Sequence, residues 1–191
     1  INVSHFGLVV IGAHTGQYLK ETISKYLGKN ILLVEPVPYN YEALEKEYEN
    51  NENILICKNA ILDISNKQNF FYVKKTSIKK LGKHWATGIG SFDKNHLLSH
   101  KGKRFNINND DIHNEEIEFI TFKDLTKKYS IQSIDKLQLD VEGAEYKILN
   151  SIDYNKTNIN EIFFESKHFD GTFAEGKKLG ETKKMLESKI G

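Results

Sequence analysis

The chain has 191 residues, 39% hydrophobic and 28% charged, with 2 Pro, which suits one folded domain over residues 1–191 and excludes a disordered or low-complexity chain. Its 27 Lys and Arg against 26 Asp and Glu leave a net charge of +1, so there is no global polyanion-binding signal and a nucleic-acid partner is not expected. The single Cys57 excludes an intramolecular disulfide and a Cys-based zinc site, and no run approaches the roughly 20 apolar residues of a membrane span; the expectation is a cytoplasmic protein.

The chain opens without Met and stops at Gly191 just after a helical pattern, so both ends read as cut from something longer. Gly7 to Ile11 is a continuous apolar run ending at Gly12, the pattern of a strand buried on both faces of a parallel sheet. Thr15 as N-cap and Tyr18, Leu19, Ile23 and Leu27 at helical spacing predict a helix before Gly28. Ile31 to Val34 is a second strand closed by Glu35-Pro36; a helix entered at Pro38 follows over Tyr41 to Tyr48, and Ile54 to Cys57 is a third strand.

The rhythm then changes. Asn69 to Val73 and Glu116 to Phe122 read as strands, while the segment between them has no clear period and predicts a lid-like insertion over about residues 74–115. Alternation resumes with a helix over Phe122 to Tyr129, a strand over Lys136 to Leu139, a helix over Gly143 to Leu149, a strand over Glu161 to Phe164 and a helix over Lys177 to Ile190. Strands and helices in alternation predict an α/β fold with a mostly parallel sheet, helices on both faces and chemistry at the carboxyl ends of the strands.

Three motifs fall at those ends. Gly12-Ala13-His14-Thr15-Gly16 is a nucleotide-type loop, in which backbone N–H groups at the helix start would face a ligand. A dinucleotide fingerprint needs glycine where His14 stands, so a pyrophosphate is disfavoured. Glu35, 23 positions after Gly12, can accept hydrogen bonds from both ribose hydroxyls of an adenosine. Asp140 ends an apolar strand before Val141-Glu142-Gly143-Ala144-Glu145, where it can serve a reaction centre or cap the next helix.

These residues together resemble a family. Val9 to Gly16, Leu33-Val34-Glu35-Pro36, Asn59-Ala60-Ile61 and Ile134 to Glu145 are similar, in content and order, to the FkbM-type methyltransferases, over roughly Phe6 to His168. The resemblance implies a class I methyltransferase (Rossmann-like) fold and S-adenosylmethionine as cofactor, held by Gly12, Ala13, His14, Gly16, Glu35, Pro36, Asn59, Ala60 and Asp140. It also implies methyl transfer to an oxygen, commonly a hydroxyl of a sugar, glycan or related metabolite. Two features depart from the family. Val10 stands where Asp is common, and the chain stops where a C-terminal hairpin would begin, leaving an edge strand exposed to association.

On the acceptor side, Asp140 and His168 are the candidate catalytic bases. Asp140, Glu165 and His168 can together hold a divalent metal, although no ligand spacing in the sequence specifies one. Nine Lys and Arg between Lys74 and Arg104 face a single acid, Asp93, with aromatics at Trp85 and Phe92. That local cationic field suits an anionic or sugar-containing acceptor, with His84, Trp85, Ser91 and His96 as the residues facing it. The rival functions are an RNA methyltransferase and a truncated, non-catalytic cofactor-binding domain.

Overall fold

The computed structural model describes residues 5–82, 84–171, 174 and 176–190, with the side chains of His84 and Trp85 outside that description. In chain order the strands are β1 (His5–Ile11), β2 (Ile31–Val34), β3 (Ile54–Cys57), β4 (Ala60–Leu62), β5 (Asn66–Val73), β6 (Ile112–Thr121), β7 (Ser133–Leu139) and β8 (Asn158–Phe164). The α-helices are α1 (Lys20–Ser24), α2 (Pro38–Glu47), α3 (Lys75–Leu81), α4 (Lys94–Leu98), α5 (Phe122–Lys128), α6 (Glu145–Ser151) and α7 (Gly176–Ile190).

Five strands form a fully parallel sheet in the order β3-β2-β1-β7-β8. The side-chain alternation of β1 explains why both faces are covered. Leu8 and Val10 pack with Leu19, Ile23 and Leu44 on one side. Val9 and Ile11 pack with Leu125, Ile148 and Leu149 on the other. Each such fully buried aliphatic side chain contributes about 1.5–3 kcal/mol through its removal from water, which is why these continuous apolar runs settle in the middle of the sheet. This is the Rossmann-like architecture expected from the sequence. Strand order reverses between β1 and β7, whose ends are in register at Ile11 and Leu139, so a crevice opens beyond their carboxyl ends.

A smaller sheet, β4-β6-β5, carries β4 parallel and β5 antiparallel to β6. Between β5 and β6 the chain forms α3, a 3-10 turn at His84–Gly88 and α4. This segment has its own apolar cluster, including Ala86, Ile89, Leu97, Phe105 and Ile107. The lid-like stretch is therefore packed, and Ile112 to Glu115 at its expected end belong to β6.

At two helices the boundary differs from expectation for reasons of backbone and capping. The helix expected from Thr15 to Leu27 shrinks to a 3-10 turn at Gln17–Leu19 and the five-residue α1. Gly16 at φ 74 precedes that turn with no side-chain cap, and Tyr18 and Leu27 point outward at 61% and 59% exposure. Phe122 starts α5 rather than ending β6, because Thr121 and Asp124 cap each other's backbone N–H groups at 3.1 and 3.4 Å. At the far edge β8 is followed by α7, and among the described residues no strand comes after it.

Candidate active site

The β1 loop turns back onto β2 instead of leaving its N–H groups open. Gly12 and Ala13 both donate to the Val34 carbonyl at 2.9 and 3.0 Å, and Gly16 donates to Ala13 at 3.0 Å. His14, in the left-handed region at φ 55, donates its N–H to Glu35 Oε2 at 2.8 Å. The expected row of free donors at a helix start is thus corrected for Gly12, Ala13, His14 and Gly16. Their backbone groups build the loop.

Glu35 is the keystone of that turn. Only 5% exposed, it accepts from His14 N on one oxygen and from Val37 N (2.9 Å) and Asn40 Nδ2 (3.4 Å) on the other. Burial pushes its carboxyl up to about 7, against the pull of these three hydrogen bonds.

Beyond the strand ends lies a partly open pocket with a mixed polar and apolar lining. Gly12, Glu35, Pro36, Asn59, Ala60 and Asp140 stand on its wall together with Ile11, Val34, Ile61, Phe70, Phe119, Val141 and Ala144. Two of the expected contacts lie behind that wall. Ala13 is 1% exposed, and Gly16 packs so that a Cβ there would sit 2.7 Å from Leu44. His14 borders an adjoining recess with Tyr18, Arg104, Asp140, Glu142 and Glu165.

Comparison with protein families matches residues 11–188 to the methyltransferase FkbM domain. The chain belongs to the FkbM methyltransferase family. Comparison with curated proteins and with solved structures finds no significant match. In this FkbM methyltransferase the segment Asp140 to Glu145 lies at the topological switch beside Gly12.

Within that motif the three acids divide. Asp140 donates its N–H to Ile11 O at 2.9 Å and leaves its carboxyl at the pocket mouth. Although Asp140 is exposed to solvent at the mouth, the protein crowded around its carboxyl and the repelling charges of Glu165, Glu142 and Glu145 push its pKa up, with Arg104 opposing. Asp140 does not cap α6, whose N-cap position is Ala144. Glu145, 1% exposed, accepts from Val141 N at 2.8 Å and Gly143 N at 2.9 Å, and so holds the loop. Glu142, at φ 53, turns its side chain under the lid.

His168 is placed differently from Asp140. It is 2% exposed and off the pocket wall, with Nε2 3.2 Å from Glu142 Oε2. Burial lowers its pKa to about 4. His96, expected to face an acceptor, is also buried, with Nε2 2.9 Å from the same Glu142 oxygen. Asp140 gathers with Glu145 and Glu165, one carboxylate oxygen of each within 4.8 Å of the others; His168 does not join them.

The lid contributes Gly88, Gly90, Ser91 and Phe92 to the FkbM pocket. Of the lid residues expected there, Ser91 is on the wall, while the side chains of His84 and Trp85 lie outside the described residues. His14 bonds to the Thr87 hydroxyl and Asn40 donates to the Thr87 carbonyl at 2.8 Å, which ties the lid to the β1 loop and α2. Sequence reasoning missed Phe70 and Phe119 because strand aromatics read as ordinary core. It also missed Glu142 and Arg104 as walls of the recess, where the unusual left-handed Glu142 was the hidden feature.

Proposed function

We propose that this FkbM protein is an S-adenosylmethionine-dependent O-methyltransferase acting on a hydroxyl of a sugar, glycan or related metabolite. The observation that carries the reading is that Glu35, at the end of β2, and Asp140, at the end of β7, share one pocket wall across an apolar floor. Ala60, Ile61, Phe70 and Phe119 suit a flat purine, Glu35 Oε2 keeps one lone pair for a ribose hydroxyl, and Asp140 suits the amino-acid end. S-adenosylmethionine would supply an electrophilic methyl group on a sulfonium. Asp140 is the group positioned to take the acceptor hydroxyl's proton as the new carbon–oxygen bond forms.

The adjoining recess speaks for the acceptor class. Asp140, Glu142 and Glu165 outnumber Arg104 there, and carboxylates accept hydrogen bonds from hydroxyls while repelling phosphates. That favours a polyhydroxyl acceptor over RNA, despite the lysines of the lid. The deciding experiment offers the purified protein, with isotopically labelled S-adenosylmethionine, a panel of reducing and non-reducing sugars and an RNA pool. Label on an ether oxygen of a sugar supports the reading. Label on RNA alone, or cofactor binding without transfer to any acceptor, opposes it.

A further inference from the structure

Three segments far apart in sequence meet beneath the recess. His96 comes from α4 in the lid, Glu142 from the β7–α6 loop and His168 from the segment after β8. Side-chain exposures are 5%, 9% and 1%, so water is largely shut out. Both imidazoles direct Nε2 at Glu142 Oε2, at 2.9 and 3.2 Å.

We propose that His96, Glu142 and His168 form a binding site for a divalent transition metal of the zinc class. Zinc bonds to imidazole nitrogen and carboxylate oxygen are about 2.0–2.2 Å, so adjacent donors on one ion lie about 2.8–3.6 Å apart at right-angled to tetrahedral geometry. The His–Glu separations here fall at that spacing, and one ligand atom from each of the three residues lies within 4.8 Å of the others. Two imidazoles with one carboxylate is a borderline-soft donor set that zinc, cobalt(II), nickel(II) and iron(II) accept in preference to magnesium or calcium.

Charge and backbone support the same site. Arg104 Nη1, 3.9 Å from Glu142 Oε1, opposes a cation. Asp140 and Glu165 stand close enough to interact electrostatically with Glu142, and these three carboxylates outweigh that guanidinium. Glu142 keeps a left-handed backbone at φ 53, a conformation unfavourable in a residue with a side chain that persists where the surroundings demand it. Here it aims the carboxylate at the two histidines. A bound ion would clasp the lid to the ends of β7 and β8 while three protein donors leave coordination positions open. This goes beyond methyl transfer, and its test does not depend on turnover.

The test uses the full chain after dialysis against a chelator. Zinc chloride is titrated by calorimetry, and cobalt(II) chloride by visible absorption. One equivalent of zinc should bind, one of cobalt should develop ligand-field bands, and each should raise the melting temperature. His96→Ala, His168→Gln and Glu142→Gln should each weaken zinc by at least about tenfold, while Glu165→Gln, in the neighbouring carboxylate trio, should change it less than about threefold. Should the histidine variants fail to fold by circular dichroism, the parent protein still decides. No stoichiometric zinc uptake overturns the site, as does uptake lost in Glu165→Gln yet kept in folded His96→Ala.

Discussion

Gly12 and Asp140 are in direct backbone contact: a Cβ at Gly12 would lie 1.9 Å from the Asp140 carbonyl oxygen. The two strand ends that build the pocket therefore meet at a point where no side chain fits, and Gly12 also sits at φ +87. Gly12→Ala should lower stability by about 3 kcal/mol or more, the scale of severe backbone and packing conflicts. Gly28→Ala is the matched control, since Gly28 has φ +90 but nothing within 4 Å, and should cost only about 1–2 kcal/mol. Urea denaturation of both variants checks the difference.

Glu145 makes a contrasting prediction, because it works for the fold. Its two oxygens satisfy the N–H groups of Val141 and Gly143. Glu145→Ala leaves both donors without that partner inside the loop and should destabilise by about 2–6 kcal/mol, at 1–3 per unsatisfied group. Glu145→Gln should recover part of the loss, since one amide oxygen still accepts. Thermal melts would show this ordering.

Asp140→Asn separates the reaction from the fold. Asp140 opens to the pocket and α6 starts from Ala144, so the melting temperature should change little. The methyl-transfer rate should fall by about 100-fold or more, on the scale of general base catalysis. Transfer at the parent rate would remove Asp140 from the proton path.

Glu35 carries a pH signature. Its folded-state pKa of about 7 lies above the ordinary 4.5, so near pH 6 the folded chain holds a proton that the unfolded chain has released. The stability this contributes is complete below the ordinary value and is lost as pH rises through about 7. Subtracting the stability curve of Glu35→Gln from that of the parent should leave a difference that falls across this window. A flat difference would mean that the carboxyl titrates normally.

How well the sequence could be read depended on which elements carry their signal locally. β2 and β3 run over the expected residues, Ile31–Val34 and Ile54–Cys57, because an unbroken apolar run has only the buried sheet to go to. β7 and β8 each begin three residues earlier than expected, at Ser133 and Asn158, since polar residues joined to a strand by ladder bonds leave no trace in hydropathy. β6 was foreshortened for the same reason: His113 to Glu116 are exposed and paired with β5.

Among site residues, Glu35 and Asp140 were legible because each directly follows an apolar strand. The meeting of His96, Glu142 and His168 was not, because their contact depends on how α4 folds under the recess. Likewise, the short α1 reflects the left-handed His14 and Gly16, a backbone property that the helical spacing of Leu19 and Ile23 does not encode.

The pocket shared by Glu35 and Asp140 is expected to hold S-adenosylmethionine, and calorimetric titration with its product S-adenosylhomocysteine, run beside NAD, is the decisive measurement. One-to-one binding of S-adenosylhomocysteine is expected, weakened by about 1.5–3 kcal/mol in Glu35→Ala as a charge-assisted hydrogen bond is lost, with no binding of NAD. Tight NAD binding with no response to S-adenosylhomocysteine would contradict it.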